Sequence, residues 1–211
     1  MKHLENLIFD YGNVIFEIDF KKTQAAFKAL GITDAETFFA HKGHHRLFDD
    51  FETGELSAEN FRNGIREAAK HPDLSDSQID AAWNSLLIGV SGNNHDVLMQ
   101  AKAKYRTFLL SNNNEIHYQW ILDHLQSRFR ISSYDDYFEK AYFSHLMRLR
   151  KPGKAIFEQV IRENNLDPAK TLFIDDSPQH IEGAKAAGLQ TLLMTVHPEA
   201  LGDFLTRHQL L

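Results

Sequence analysis

Leu7-Ile8-Phe9-Asp10 is a short apolar run closed by a carboxylate, and the same form recurs along the chain. Phe108-Leu109-Leu110 precedes Ser111, Ala141-Tyr142-Phe143 precedes Ser144, Leu172-Phe173-Ile174 precedes Asp175, and Thr191-Leu192-Leu193-Met194 forms a fifth run. Runs of this length, bounded by polar residues, read as buried strands of a parallel sheet. Helically spaced apolar residues lie between them, as in Asp96-Val97-Leu98…Ala101 and Ala155-Ile156-Phe157…Val160-Ile161. Strand alternating with helix predicts an α/β fold.

The alternation breaks between about Phe20 and Gly92, where no good strand is visible and amphipathic stretches follow one another. Phe27…Leu30, Phe38-Phe39, Phe61…Ile65 and Ile79…Trp83…Leu86-Leu87 supply their apolar faces. Ser57-Ala58-Glu59-Asn60 and Ser75-Asp76-Ser77-Gln78 read as helix starts. A block of this size exceeds an ordinary crossover connection. The expected organisation is therefore a core of residues 1–19 and 93–211, with residues 20–92 inserted as a helical subdomain.

The 211 residues, with 23 Lys and Arg against 29 Asp and Glu, carry a formal charge of −6, which argues against a general nucleic-acid binder. No cysteine is present, so disulfides, thiol nucleophiles and cysteine-containing zinc sites are excluded. The apolar run at the N-terminus is too short for a signal peptide or a membrane span, which gives a cytoplasmic expectation.

Ligands of open α/β sheets bind outside the carboxyl ends of the strands, so the residues closing the runs belong together. They are Asp10, Ser111-Asn112, Lys151 a little past the third run, and Asp175-Asp176. Carboxylates gather Mg²⁺, which takes few protein ligands plus phosphate, and a lysine and a hydroxyl can hold a phosphoryl group. Taken singly, each residue has a plainer reading. Asp10 suits a strand-end turn, Asp175-Asp176 suits the start of a helix over 178–187, and Ser111 suits the cap of a helix beginning near Asn113.

Taken together, they resemble the haloacid dehalogenase-like hydrolases. The four motifs are Leu7-Ile8-Phe9-Asp10-Tyr11-Gly12-Asn13-Val14, Leu109-Leu110-Ser111-Asn112-Asn113, Arg150-Lys151-Pro152 and Phe173-Ile174-Asp175-Asp176-Ser177, in family order. The resemblance implies a Rossmann-like core with a small helical cap inserted after the first motif, and it is greatest to bacterial sugar-phosphate phosphatases. It implies Mg²⁺ as cofactor, on the Asp10 carboxylate, the Gly12 carbonyl and Asp176, with Asp175 a direct or indirect partner. Asp10 would attack phosphorus and form an aspartyl-phosphate, Ser111 and Asn112 would hold the phosphoryl oxygens, and Lys151 would balance the developing charge. The implied partner is a small-molecule phosphate ester, a sugar phosphate among the candidates. Neither nucleic acid nor membrane is expected, and a homo-oligomer is compatible.

The departures are specific. Family phosphatases carry a second Asp two residues after the nucleophile, where this chain has Gly12, so a proton carrier is missing. His180, Gly153 and Arg148 also differ from related sequences, and the role of His180 stays open. Two other readings follow: a 2-haloacid dehalogenase, disfavoured by the Asp175-Asp176 pair, and a weakened member used for binding or regulation. Lys151 is expected to serve turnover more than folding. Specificity is expected from the cap segment His41-Lys42-Gly43-His44-His45-Arg46, a solvated surface being the plainer reading and a histidine metal site there being disfavoured.

Overall fold

The computed structural model describes residues 4–32 and 42–211, with side chains described from Arg46 onward in the second stretch. Phe38-Phe39 and His41 lie outside the described residues, as do the side chains of Lys42, His44 and His45. The expectation placed on them has no structural counterpart here.

The strands are β1 (Asn6–Phe9), β2 (Phe16–Ile18), β3 (Leu87–Val90), β4 (Arg106–Ser111), β5 (Lys140–Phe143), β6 (Thr171–Asp175) and β7 (Gln190–Leu193). Five of them form a parallel sheet in the order β5-β4-β1-β6-β7. The predicted α/β, Rossmann-like sheet is thus present, with β1 at its centre. Alternation along the strands feeds two cores. Leu7, Phe9, Leu109, Leu172 and Ile174 pack on one side, and Ile8, Phe108, Leu110 and Phe173 on the other. Because β4 and β6 both flank β1, their carboxyl ends bring Ser111, Asp10 and Asp175 to one edge.

In the inserted block, α1 (Phe20–Ala29), α2 (Lys42–Glu52), α3 (Ala58–Ala69) and α4 (Asp76–Asn84) precede β3. Ser57 and Ser75 cap α3 and α4 as the sequence predicts, the second with a full capping box to Gln78. Phe27, Phe51, Phe61, Ile65, Ile79 and Trp83 make a core of their own, with the Phe51 and Phe61 rings stacked at 4.1 Å. One expectation fails. Leu87 belongs to β3, which pairs antiparallel with β2, so the block contains a strand. α4 ends at Asn84, and Leu86-Leu87 lead out of the helical region rather than forming its face.

The core continues with α5 (Asn94–Lys102), α6 (Glu115–Phe129), the single turn α7 (Ser144–Met147), α8 (Lys154–Glu163), α9 (Pro178–Ala186) and α10 (Leu201–Arg207). The end of α2 docks on the segment after β5. Ser144 Oγ donates to the Glu52 carbonyl at 2.6 Å. Gly54, at φ +68°, passes so close that a Cβ would lie 2.3 Å from the His145 carbonyl oxygen, a position only glycine fills. Among the described residues no helix is long and apolar enough to cross a membrane.

Candidate active site

Asp10 follows β1 directly, and its N–H donates to the Ile174 carbonyl of β6 at 2.9 Å, which fixes it at the sheet edge. Asp175 is the last residue of β6, with Asp176 next to it. Each of the three carboxylates offers an oxygen within 4.8 Å of the others. Lys151, with no exposed surface, donates from Nζ to Asp10 Oδ1 at 2.6 Å and to Asp175 Oδ2 at 2.8 Å. One ammonium thus bridges two buried carboxylates that would otherwise repel each other.

Three negative groups around one positive group leave a deficit of positive charge. Burial pushes the Asp10 carboxyl up to about 6; Lys151 opposes this and Asp175 adds to it. Burial and then Asp175 also raise Asp176, against a hydrogen bond from the Asn13 side chain. For Asp175 burial acts in the same sense, but Lys151 and His180 outweigh it and hold the carboxyl down at about 2. Burial likewise disfavours the Lys151 charge, and Asp10 and Asp175 reverse the balance and raise its pKa. A cluster of hard carboxylate oxygens with this imbalance fits a Mg²⁺ ion.

The structure differentiates the two motif-IV carboxylates. Both oxygens of Asp175 are engaged, Oδ2 by Lys151, and Oδ1 by the Ser177 N–H at 2.8 Å. His180 Nδ1 lies 3.0 Å from each of them. His180, whose role the sequence leaves open, is thereby a direct partner of the acidic cluster. Its signal was available only as a polar residue on the first turns of the helix that follows motif IV.

Ser111 is buried at the end of β4, its hydroxyl donating to the Asn112 carbonyl at a long 3.3 Å. The helix after it starts later than its capping reading requires: Asn114 caps α6, accepting from the His117 N–H at 3.0 Å. Asn112 turns its side chain to the lysine loop, with Nδ2 donating to the Lys151 carbonyl and Oδ1 accepting from the Lys151 N–H, both at 2.9 Å. That side chain is committed to placing Lys151. Gly12 bridges to Phe16 and leaves the position two residues after Asp10 without any acid.

A cleft of about 380 Å³ is lined by Gly12, Ser111 and Asn112 and, from the helical block, by Phe20, Phe48, Glu52 and Trp83. Arg150, adjacent to Lys151, also lines it and pairs with Asp49 and, at 2.8 Å, with Glu52. Burial raises the Glu52 carboxyl, with Arg150 opposing.

A family model described as haloacid dehalogenase-like hydrolase matches residues 5–188. D-ribitol-5-phosphate phosphatase of Bacteroides thetaiotaomicron is 30% identical over 188 residues, covering 89% of this chain and 90% of that protein. A HAD family enzyme from the same organism, solved in complex with magnesium and inorganic phosphate, superposes with a TM-score of 0.80 at 36% identity, covering 90% and 93% of the two chains. A HAD-like family hydrolase of Porphyromonas gingivalis gives a TM-score of 0.83 at 32% identity, covering 98% of each.

Proposed function

The chain belongs to the haloacid dehalogenase-like hydrolases, and we propose that it hydrolyses the phosphate ester of a small metabolite through an aspartyl-phosphate formed on Asp10. Its class, a phosphate-monoester hydrolase with Mg²⁺ as cofactor, rests on the phosphatase relative and on the magnesium and phosphate complex of the structural neighbour. The observation that carries the residue assignment is the Lys151 ammonium bridging Asp10 and Asp175 at 2.6 and 2.8 Å, with Asp176 completing the acidic cluster.

In this reading an Asp10 oxygen attacks phosphorus, the bond to the alcohol oxygen breaks, and the alcohol leaves with a proton. Water then attacks the same phosphorus and returns Asp10 as a carboxylate with inorganic phosphate as product. Asp10, Asp176 and the Gly12 carbonyl would hold the Mg²⁺, which supplies charge for the phosphoryl oxygens. The engagement of both Asp175 oxygens supports a role in fixing Lys151 rather than in direct ligation. Ser111 and the main chain at Asn112 would receive phosphoryl oxygens, while the Asn112 side chain holds Lys151 in place. The helices α1 to α4 of the inserted block would form the cap over this edge, and sugar or polyol phosphates, a class that includes the substrate named for the Bacteroides relative, are the reference substrates.

Phosphate release from such esters should need Mg²⁺ and should vanish in Asp10→Asn. Undiminished release in excess chelator, or in the variant, would overturn the assignment. A 2-haloacid reaction would instead give halide without added metal, and the Asp10/Asp175/Asp176 cluster speaks against it.

A further inference from the structure

In the phosphatase reading the phosphoryl group would take the end of the cleft at Gly12, Ser111 and Asn112, and the remainder would receive the alcohol portion of the ester. Among the described residues, the apolar part of the cleft lining includes Ile18, Phe20, Phe48, Trp83, Leu86 and Leu87. Phe48 and Trp83 present stacked rings 5.5 Å apart. Polar residues also line the cleft, but most of them are already paired with protein groups. Thr23 Oγ1 donates to the Ala82 and Trp83 carbonyls at 2.6 and 3.0 Å. Trp83 Nε1 donates to Asn114 Oδ1 at 3.3 Å, Asn114 Nδ2 meets His117 Nδ1 at 3.0 Å, and His117 Nε2 meets the Trp83 carbonyl at 3.1 Å. The Asn112 amide is spent on the Lys151 peptide, and Arg150 pairs with Asp49 and Glu52, while Glu52 Oε2 and Arg150 Nε are buried without a hydrogen bond. Gln24, half-buried in the wall, stands outside these pairs.

We infer that the cleft beyond the phosphoryl site binds a hydrocarbon-rich body, so that the enzyme favours phosphate monoesters of sparsely hydroxylated alcohols over polyol esters of equal length. This rests on the phosphatase reading and sets the preferred esters apart from the polyol phosphate of the Bacteroides relative. A polyol chain entering this wall loses water from each hydroxyl and finds few unpaired partners in return, whereas an alkyl or aryl chain gains from leaving water. Phe20 is the accessible edge of this wall, 61% exposed and the first residue of α1, so it can be changed without touching the core.

The test separates body recognition from turnover by using phosphonates, which the enzyme cannot hydrolyse. With Mg²⁺ present, calorimetric titration should show n-pentylphosphonate binding at least about tenfold more tightly than the phosphonate isostere of D-ribitol 5-phosphate, and with a negative heat-capacity change. Phe20→Ser should weaken n-pentylphosphonate about three- to tenfold, and the polyol phosphonate less. Equal or tighter binding of the polyol phosphonate overturns the inference, as does an unchanged preference in Phe20→Ser. Hydrolysis of esters without binding of either phosphonate also overturns it. Loss of all ester hydrolysis in wild type would fall on the phosphatase reading alone, because the phosphonate preference is measured without chemistry.

Discussion

The Asn112 side chain grips the Lys151 peptide from both sides, donating to its carbonyl and accepting from its N–H, each at 2.9 Å. The ammonium of that lysine lies between Asp10 and Asp175, so its position is set by one amide from the neighbouring strand end. Asn112→Ala should therefore lower kcat about ten- to hundredfold while moving KM less, because the reacting carboxylate is still present but its counter-charge is misplaced. Asn112→Asp keeps an acceptor for the N–H and should recover part of the loss. Steady-state kinetics on one ester decides it: a pure KM effect would show that Asn112 acts on substrate and not through Lys151.

Lys151, expected from sequence to bear more on turnover than on folding, should matter to both, given where the structure buries it. It is fully buried between two carboxylates, and removing one member of a buried pair typically costs about 3–5 kcal/mol. Lys151→Met should reduce kcat by about 10²–10³. It should also lower the melting temperature in the absence of metal. Added Mg²⁺ should raise the melting temperature of the variant more than that of wild type, since the ion would then face Asp10 without the competing ammonium. Equal Mg²⁺ shifts in the two proteins would show that the lysine and the metal do not share Asp10.

The parts of the molecule legible in sequence are those fixed by local pattern. Apolar runs closed by Asp10, Ser111 and Asp175 announce buried parallel strands, because both faces of such a sheet are covered and no alternation is needed. Ser57 and Ser75 announce helix starts because capping is settled within a few residues. β3 was hidden because only Leu87 of its four residues is buried and its pairing with β2 spans the whole inserted block. Asn112 to Lys151, and Trp83 to Asn114 and His117, are likewise contacts between distant segments whose residue types suit many other roles. His180 was visible as an odd residue, but its approach to Asp175 follows only from the turn into α9.

His117 should make stability depend on pH in the mildly acidic range. Burial beneath the helical block pushes its imidazole from 6.5 down to about 4, against a hydrogen bond to the Trp83 carbonyl. Between those values the unfolded chain binds a proton that the native state refuses, so stability is complete above about pH 6.5 and falls as the pH drops towards 4. The full loss is on the order of 3 kcal/mol. His117→Gln removes this group from the balance and should flatten the pH dependence of the denaturation midpoint across that window, whatever its own cost at neutral pH. An unchanged slope would mean that other groups carry the acid sensitivity.

Gly12 should make the reaction sensitive to the alcohol that leaves. Two residues after Asp10 no side chain can protonate the departing oxygen, so an ester with a poor leaving group must find its proton elsewhere, and aryl phosphates should outpace alkyl phosphates. A side chain can begin at this position. A Cβ at Gly12 would lie 3.0 Å from Ile18 Cδ1, the mobile end of a flexible side chain, and the residue is not in the left-handed region where a side chain would be strained. Gly12→Asp should therefore fold, with a small shift of Ile18, and leave the backbone carbonyl in place. Its kcat on alkyl phosphates should rise relative to that on aryl phosphates, within the roughly 10²–10⁴-fold range of general acid–base help. Plotting log kcat against leaving-group pKa when chemistry limits turnover should give a steep line for wild type and a shallower one for the variant. A flat line for wild type would place a proton donor elsewhere in the cleft, and parallel lines would show that an acid introduced at this position does not reach the leaving oxygen.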